Sequence, residues 1–292
     1  MEYQIGTSVF DDWEIVRRIG SGASGVVYEI QKKGQDIALT SALKVMRVPQ
    51  DPSVVTSLTD EGMDAQGIES YLQGIVNELI DEIKIMASLK GFPYIVSCED
   101  YKVIRDSQNL QWEVLIRMEL LQPLSEYQQE NDLTETDVRR LGVHLAKSLA
   151  LFEKQEIIHR DIKPENIFVN EFGDFKVGDF GIARVYDKTT RLLSKKGTEN
   201  YMAPEVYRGQ EYDNTADIYS LGLILYKLLN KNRLPFYPID KTFTALEQQK
   251  ALMSRMSGRQ ELPMPVLASP EFGRIVLKMC AFRAENLFQN AE

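Results

Sequence analysis

The stretch IIHRDIKPENIFV runs from Ile157 to Val169. Its apolar ends, Ile157-Ile158 and Ile167-Phe168, bracket His159, Arg160, Asp161, Lys163, Glu165 and Asn166. Polar side chains held this close to a core cost free energy unless they have partners or a task. A carboxylate such as Asp161 can accept the proton of an attacking hydroxyl, and a carboxamide oxygen such as that of Asn166 can hold a hard cation. Just downstream, VGDFGIAR sets Asp179 between an apolar strand pattern and a glycine. Asp161, Asn166 and Asp179 together make an oxygen-rich set suited to Mg²⁺, which keeps several waters and shares phosphate oxygens. One such residue alone reads better as a helix cap on a surface loop. The ordered set does not.

Upstream, IGSGASGVV carries Gly20, Gly22, Gly25 and Val27. Glycines let a backbone approach a phosphate without a Cβ in the way. Alone, this spacing serves a plain strand turn as well. A dinucleotide fold needs a helix directly afterwards, whereas VVYEIQ reads as a strand. A Walker loop is excluded because no lysine follows the last glycine. Lys44 stands among apolar strand residues in ALKVM. Strand lysines commonly snorkel to water, but a buried ammonium needs an acid. Glu78 and Glu82, four apart on a predicted helix, share a face and are the candidates.

The chain has 292 residues and a formal net charge of −9, from 34 basic and 43 acidic residues. That balance argues against nucleic acid or an anionic membrane as the main partner. The two cysteines, Cys98 and Cys280, form no CxxC pair, which argues against a disulfide framework or zinc site and fits a reducing compartment. No apolar run reaches the ~18 residues of a membrane span, and the expected location is cytoplasmic. WEIVRRIG, GVVYEIQ and LTSALKVMRV read as strands, and IESYLQGIVNELIDEIKIMASL as a helix with Ile75, Leu79, Ile83, Met86 and Leu89 on one face. YIVSCEDYKVI and WEVLIRMELL return to strand patterns. Beyond about residue 125 helices dominate. One is opened by Thr134 and Asp137, and TADIYSLGLILYKLLN is apolar enough to be buried. A strand-rich first part and a helical second part predict an α+β chain in two lobes.

Taken in order, the glycine loop, AxK, a helix acid, HRDxKxxN, DFG and APE (Ala203–Glu205) resemble a eukaryotic-type, or Hanks-type, serine/threonine protein kinase catalytic domain. The motifs run from Gly20 to Asp217. The resemblance implies a β-rich N-lobe with one main helix (1–118) and a hinge with a larger helical C-lobe (119–292). It implies ATP and Mg²⁺ as cofactors, with protein Ser/Thr hydroxyls as acceptors. Lys44 would hold the α- and β-phosphates and pair with Glu82, with Glu78 as the second choice. Asp161 would be the base, Lys163 would contact the transferred phosphate, and Thr198 would brace both. Asn166 and Asp179 would hold the metal. Gly20, Gly22 and Gly25 would cover the phosphates. Val27, Ala42 and Phe168 would enclose the adenine, Met118 would guard the back of the pocket, and Glu119 to Leu121 would form the hinge. Arg160 goes, in the family, with control by activation-loop phosphorylation; Thr189, Thr190 and Ser194 are the candidates.

Three features depart from the family pattern. The stretch from Asp51 to Ser70 lengthens the span between Lys44 and Glu82; it reads as a disordered insertion or a regulatory docking segment, and its polarity favours disorder. Leu287 stands where the family has an arginine bonded to the APE glutamate, here Glu205. Ser125 stands where an acid often binds the ribose. The segments after Asp217 resemble bacterial members, and the chain's end suits a catalytic domain cut from a longer protein. The alternative reading is a pseudokinase scaffold. A small-molecule kinase typically lacks Lys163 and the DFG–APE segment.

Overall fold

The structure, a computed structural model, describes residues 3–22, 25–34, 39–106, 108–179 and 199–292. They divide into two compact units, one running to Leu121 and taking in Asp179, the other built on Gln122–Gly178 and the C-terminal stretch to Glu292.

The first unit is an antiparallel sheet with strand order β1-β2-β3-β4-β6-β5. Its strands are β1 (Ser8–Val9), β2 (Trp13–Gly22), β3 (Gly25–Lys32), β4 (Thr40–Val48), β5 (Cys98–Asp106) and β6 (Gln111–Met118). Register places Val27 opposite Lys44, Lys44 opposite Ile116, and Ala42 opposite Met118. Side chains alternate along a strand, so these five residues share one face. The other face carries Tyr28, Ile30, Leu43, Val45 and Leu115, which pack with Trp13, Ile15 and the half-buried Tyr3. Tyr3 is fixed there by its hydroxyl, which donates to Glu113 Oε2 at 2.8 Å. Gly25, at the β2–β3 turn, has φ +125°, and a Cβ there would lie 2.3 Å from the Val45 carbonyl oxygen. Only glycine fits that approach.

The expected disordered insertion is folded. Residues Ser53–Asp60 form α1, and α2 runs from Ala65 to Ser88. Asp64 caps α2 by accepting a hydrogen bond from the Gly67 amide at 2.7 Å. Leu58, Ile68 and Leu72 are buried. The stretch is polar on average, yet three apolar residues at the right positions suffice to dock two helices. The rest of α2 follows the predicted stripe, with Ile75, Leu79, Ile83 and Met86 all buried.

The second unit has a small sheet, β7 (Gln122–Pro123), β8 (Ile167–Val169) and β9 (Phe175–Val177), and helices α3 (Leu124–Glu130), α4 (Glu135–Lys154), α5 (Pro204–Tyr207), α6 (Thr215–Leu228), α7 (Ala245–Ser257) and α8 (Pro270–Met279). The start predicted from Thr134 and Asp137 is a full capping box: Asp137 N donates to Thr134 Oγ1 and Thr134 N donates to Asp137 Oδ2. Helix α6 is buried from Thr215 to Tyr226, as its composition predicts. Its Gly222 admits α8, since a Cβ there would meet Met279 Cβ at 2.7 Å. His144 on α4 has a structural post, its Nδ1 accepting the Phe175 amide at 3.1 Å. Among the described residues no helix is long and apolar enough to cross a membrane.

Candidate active site

The connection between α4 and β8 is tied down from below. Asp217, in the first turn of α6, accepts the His159 amide on Oδ2 at 2.7 Å and the Arg160 amide on Oδ1 at 2.9 Å. Burial pushes the Asp217 carboxyl up, against the pull of these donors and of His159 and Arg160. Arg160 is turned to φ +69°, a conformation that costs a non-glycine residue of order 1 kcal/mol and persists only where surroundings impose it. His159 is buried, with Nε2 3.1 Å from the Gly178 carbonyl and its ring against Phe152, and serves as a prop.

That bend presents Asp161, itself only 7% exposed. Its Oδ2 lies 2.7 Å from Lys163 Nζ and accepts from Asn166 Nδ2 at 2.9 Å. The same Nδ2 donates to the Asp161 carbonyl at 2.8 Å. The Gly178 amide donates to the Asn166 backbone carbonyl at 2.9 Å, so backbone and side chain of Asn166 are both fixed. With its amide group committed to Asp161, the Asn166 side-chain oxygen is the atom left to face a cation. The Oδ1 edge of Asp161 takes no partner among the described residues.

In the first unit, Lys44 is 2% exposed, and its Nζ lies 2.7 Å from Asp179 Oδ1. Asp179 also adopts a left-handed backbone, at φ +59°. A buried ammonium thus has the anion it needs. Glu82 is half-buried on α2 and Glu78 is exposed one turn earlier. The carboxylate this geometry brings to Lys44 is that of Asp179. Val27, Ala42 and Met118 line the Lys44 face of the sheet through the register already described. Gly20 pairs with Val27, and Gly22 with Gly25, in the β2–β3 hairpin. Glu119 is pinned on both sides: its amide donates to the Ser97 carbonyl at 3.2 Å, and its Oε1 accepts the Ser97 amide at 2.6 Å. Leu121 is half-buried. Phe168, in the second unit, is half-buried on β8 opposite Pro123. Ser125 is exposed on α3. Thr189, Thr190, Ser194 and Thr198 lie outside the described residues.

Two anchoring residues escape the sequence reading. Asp217 is legible as part of an apolar helix, and a lone acid at the start of such a helix is the signal that it holds something. Ser97 carries no such signal, because it acts through its backbone.

The carboxamide oxygen of Asn166, in the second unit, and the carboxylate of Asp179, in the first, are each of a ligand type that Mg²⁺ takes.

The family of the protein kinase domain matches this chain over residues 13–286, and the chain belongs to that family. The α+β protein-kinase fold expected from the motifs is therefore borne out. Among curated relatives, serine/threonine-protein kinase TIO of Arabidopsis thaliana is 31% identical over 78% of this chain and 15% of its own length. Serine/threonine-protein kinase AtPK1/AtPK6 of the same plant is 30% identical over 77% of this chain and 43% of its own length. Cyclin-dependent kinase 20 of Danio rerio is 27% identical over 92% of this chain and 70% of its own length. The chain spans less than half the length of the two plant relatives.

Proposed function

We propose that the chain is a serine/threonine protein kinase that transfers the γ-phosphoryl group of ATP to a hydroxyl on a protein substrate. The observation that carries this reading is the Lys163–Asp161–Asn166 network, in which one carboxylate is oriented by an ammonium and a carboxamide. Asp161 Oδ1 accepts the proton of the attacking hydroxyl. The hydroxyl oxygen bonds to the γ-phosphorus as the bond to the β-γ bridging oxygen breaks, and ADP leaves. Lys163 offsets charge on the transferred group, and Lys44 offsets charge on the α- and β-phosphates. Asn166 and Asp179 would hold Mg²⁺, which supplies screening of phosphate charge. Such chemistry asks little covalent work of a protein and much positioning.

In this reading Val27, Ala42, Met118 and Phe168 meet the adenine, and the Glu119–Leu121 backbone bonds its edge. Gly20, Gly22 and Gly25 lie over the phosphates. Glu82 steadies Lys44 when the nucleotide is bound, and Thr198 braces Asp161 and Lys163. Lys163 and Thr198 favour Ser/Thr over Tyr as acceptor. The preferred place of action is the cytoplasm.

The test is transfer of labelled phosphate from ATP with Mg²⁺ to a generic protein substrate. Asp161→Asn should lower kcat by about 10²–10⁴-fold, the range for losing a positioned general base. Equal rates for the two proteins would overturn the reading and favour the scaffold alternative. Phosphorylation of the loop is the proposed control, since a phosphate brings about −1.5 to −2 charge that arginine can pair with. Mass spectrometry after incubation with ATP should find phosphate on Thr189, Thr190 or Ser194. A bare peptide would rule out autophosphorylation as the switch.

A further inference from the structure

By the family resemblance, Glu205 of the APE motif would pair with an arginine. Leu287, the residue at the arginine's place, is apolar and 4% exposed. Among the described residues Glu205 Oε1 is buried with no hydrogen-bond partner. Yet the segment from Glu199 to Arg208 is tied by other donors. Arg255, on α7 and only 5% exposed, donates from Nη2 to the Glu199 carbonyl at 3.3 Å. Arg208, directly after α5, donates from Nη2 to the Met256 carbonyl at 2.6 Å. That carbonyl belongs to the last turn of α7, where carbonyls lack intrahelical partners and the helix end favours a cation. The Arg208 guanidinium also lies 4.6 Å from the Phe282 ring centroid. Between these ties the Tyr201 carbonyl accepts Ser220 Oγ at 2.8 Å, and the Tyr201 hydroxyl meets Lys227 Nζ at 3.1 Å.

We propose that Arg255 and Arg208 are positioning residues that cross-tie the Glu199–Arg208 segment to α7, doing the work that an ion pair at Glu205 does elsewhere in the family. The two ties run in opposite directions. Helix α7 reaches to the segment's start through Arg255, and the segment's end reaches back to α7 through Arg208. A charge-assisted bond at each end fixes both position and slope of the intervening chain. The inference rests on the kinase reading for its consequence, a weaker hold on the protein substrate.

The experiment uses the full chain with the variants Arg255→Ala, Arg255→Lys, Arg208→Gln and Glu205→Gln. Steady-state kinetics and hydrogen exchange of the peptide spanning residues 199–208 are read for each. Arg255→Ala and Arg208→Gln should raise KM for the protein substrate about tenfold, the size of one lost charge-assisted hydrogen bond, with KM for ATP unchanged. Exchange in the 199–208 peptide should quicken in both. Arg255→Lys should recover part of the loss, and Glu205→Gln should leave both KM values unchanged and should not quicken exchange. Should Arg255→Ala fail to fold, Arg208→Gln carries the same test with only the outer tie removed. Unchanged exchange in the arginine variants, or an effect of Glu205→Gln as large as theirs, would overturn the cross-tie. A parent chain that transfers no phosphate would overturn the kinase reading instead, while the exchange data still judge the tie.

Discussion

Asp217 shows how a residue far along the chain sets the shape of a loop. Its two carboxylate oxygens take the amides of His159 and Arg160, and so impose the left-handed turn that presents Asp161. Replacing it by alanine leaves the buried His159 N–H and the part-buried Arg160 N–H without acceptors, a buried one costing about 1–3 kcal/mol. Asp217→Ala should therefore lose roughly 2–4 kcal/mol in urea unfolding, and phosphate transfer should fall with it. An unchanged unfolding midpoint would contradict this account. Asp161 and Asn166 stand out in the sequence by residue type and order, and the structure joins them by a hydrogen bond. The Lys44–Asp179 contact is not legible there, since it joins positions 135 residues apart.

Helix α2 shows the limit of reading by average polarity. Its later turns follow a clear apolar period, whereas the polarity of α1 and the first turn of α2 predicts disorder. Their order depends on Leu58, Ile68 and Leu72 finding buried places and on one cap at Asp64. Burial against a neighbouring element is invisible in a window of sequence. Amides from Ile68 to Leu72 should exchange slowly with solvent, and Asp64→Ala should cost about 1 kcal/mol of stability, the usual worth of such a cap. Free-coil exchange rates across these residues would restore the disordered reading. The start of α4 is legible in full, because a capping box is a local arrangement between Thr134 and Asp137.

Stability of the protein as a unit bears the mark of Glu205. Burial raises its carboxyl above the ordinary value of 4.5, with Asp213 adding to the rise and Arg208 opposing it. The folded state then holds a proton more tightly than the unfolded chain does. The contribution of Glu205 is full below the unfolded value and is lost as pH rises through the folded one. Thermal unfolding of the parent chain should accordingly weaken over that rise, relative to Glu205→Gln. The glutamine variant should melt higher than the parent at pH 7 and nearer to it at pH 4. A parent chain that outlasts Glu205→Gln at pH 7 would refute the unpaired carboxylate.

From the order of its residues alone the chain declares its family and most of its strands and helices, because motifs, periodicity and caps are local. Which anions meet which cations was left to folding. Asp179 meeting Lys44, Asp217 holding the loop of Asp161, and Arg255 and Arg208 tying the segment around Glu205 all depend on groups far apart in the chain. Such contacts exist only once packing has excluded water and made an unpaired buried charge costly.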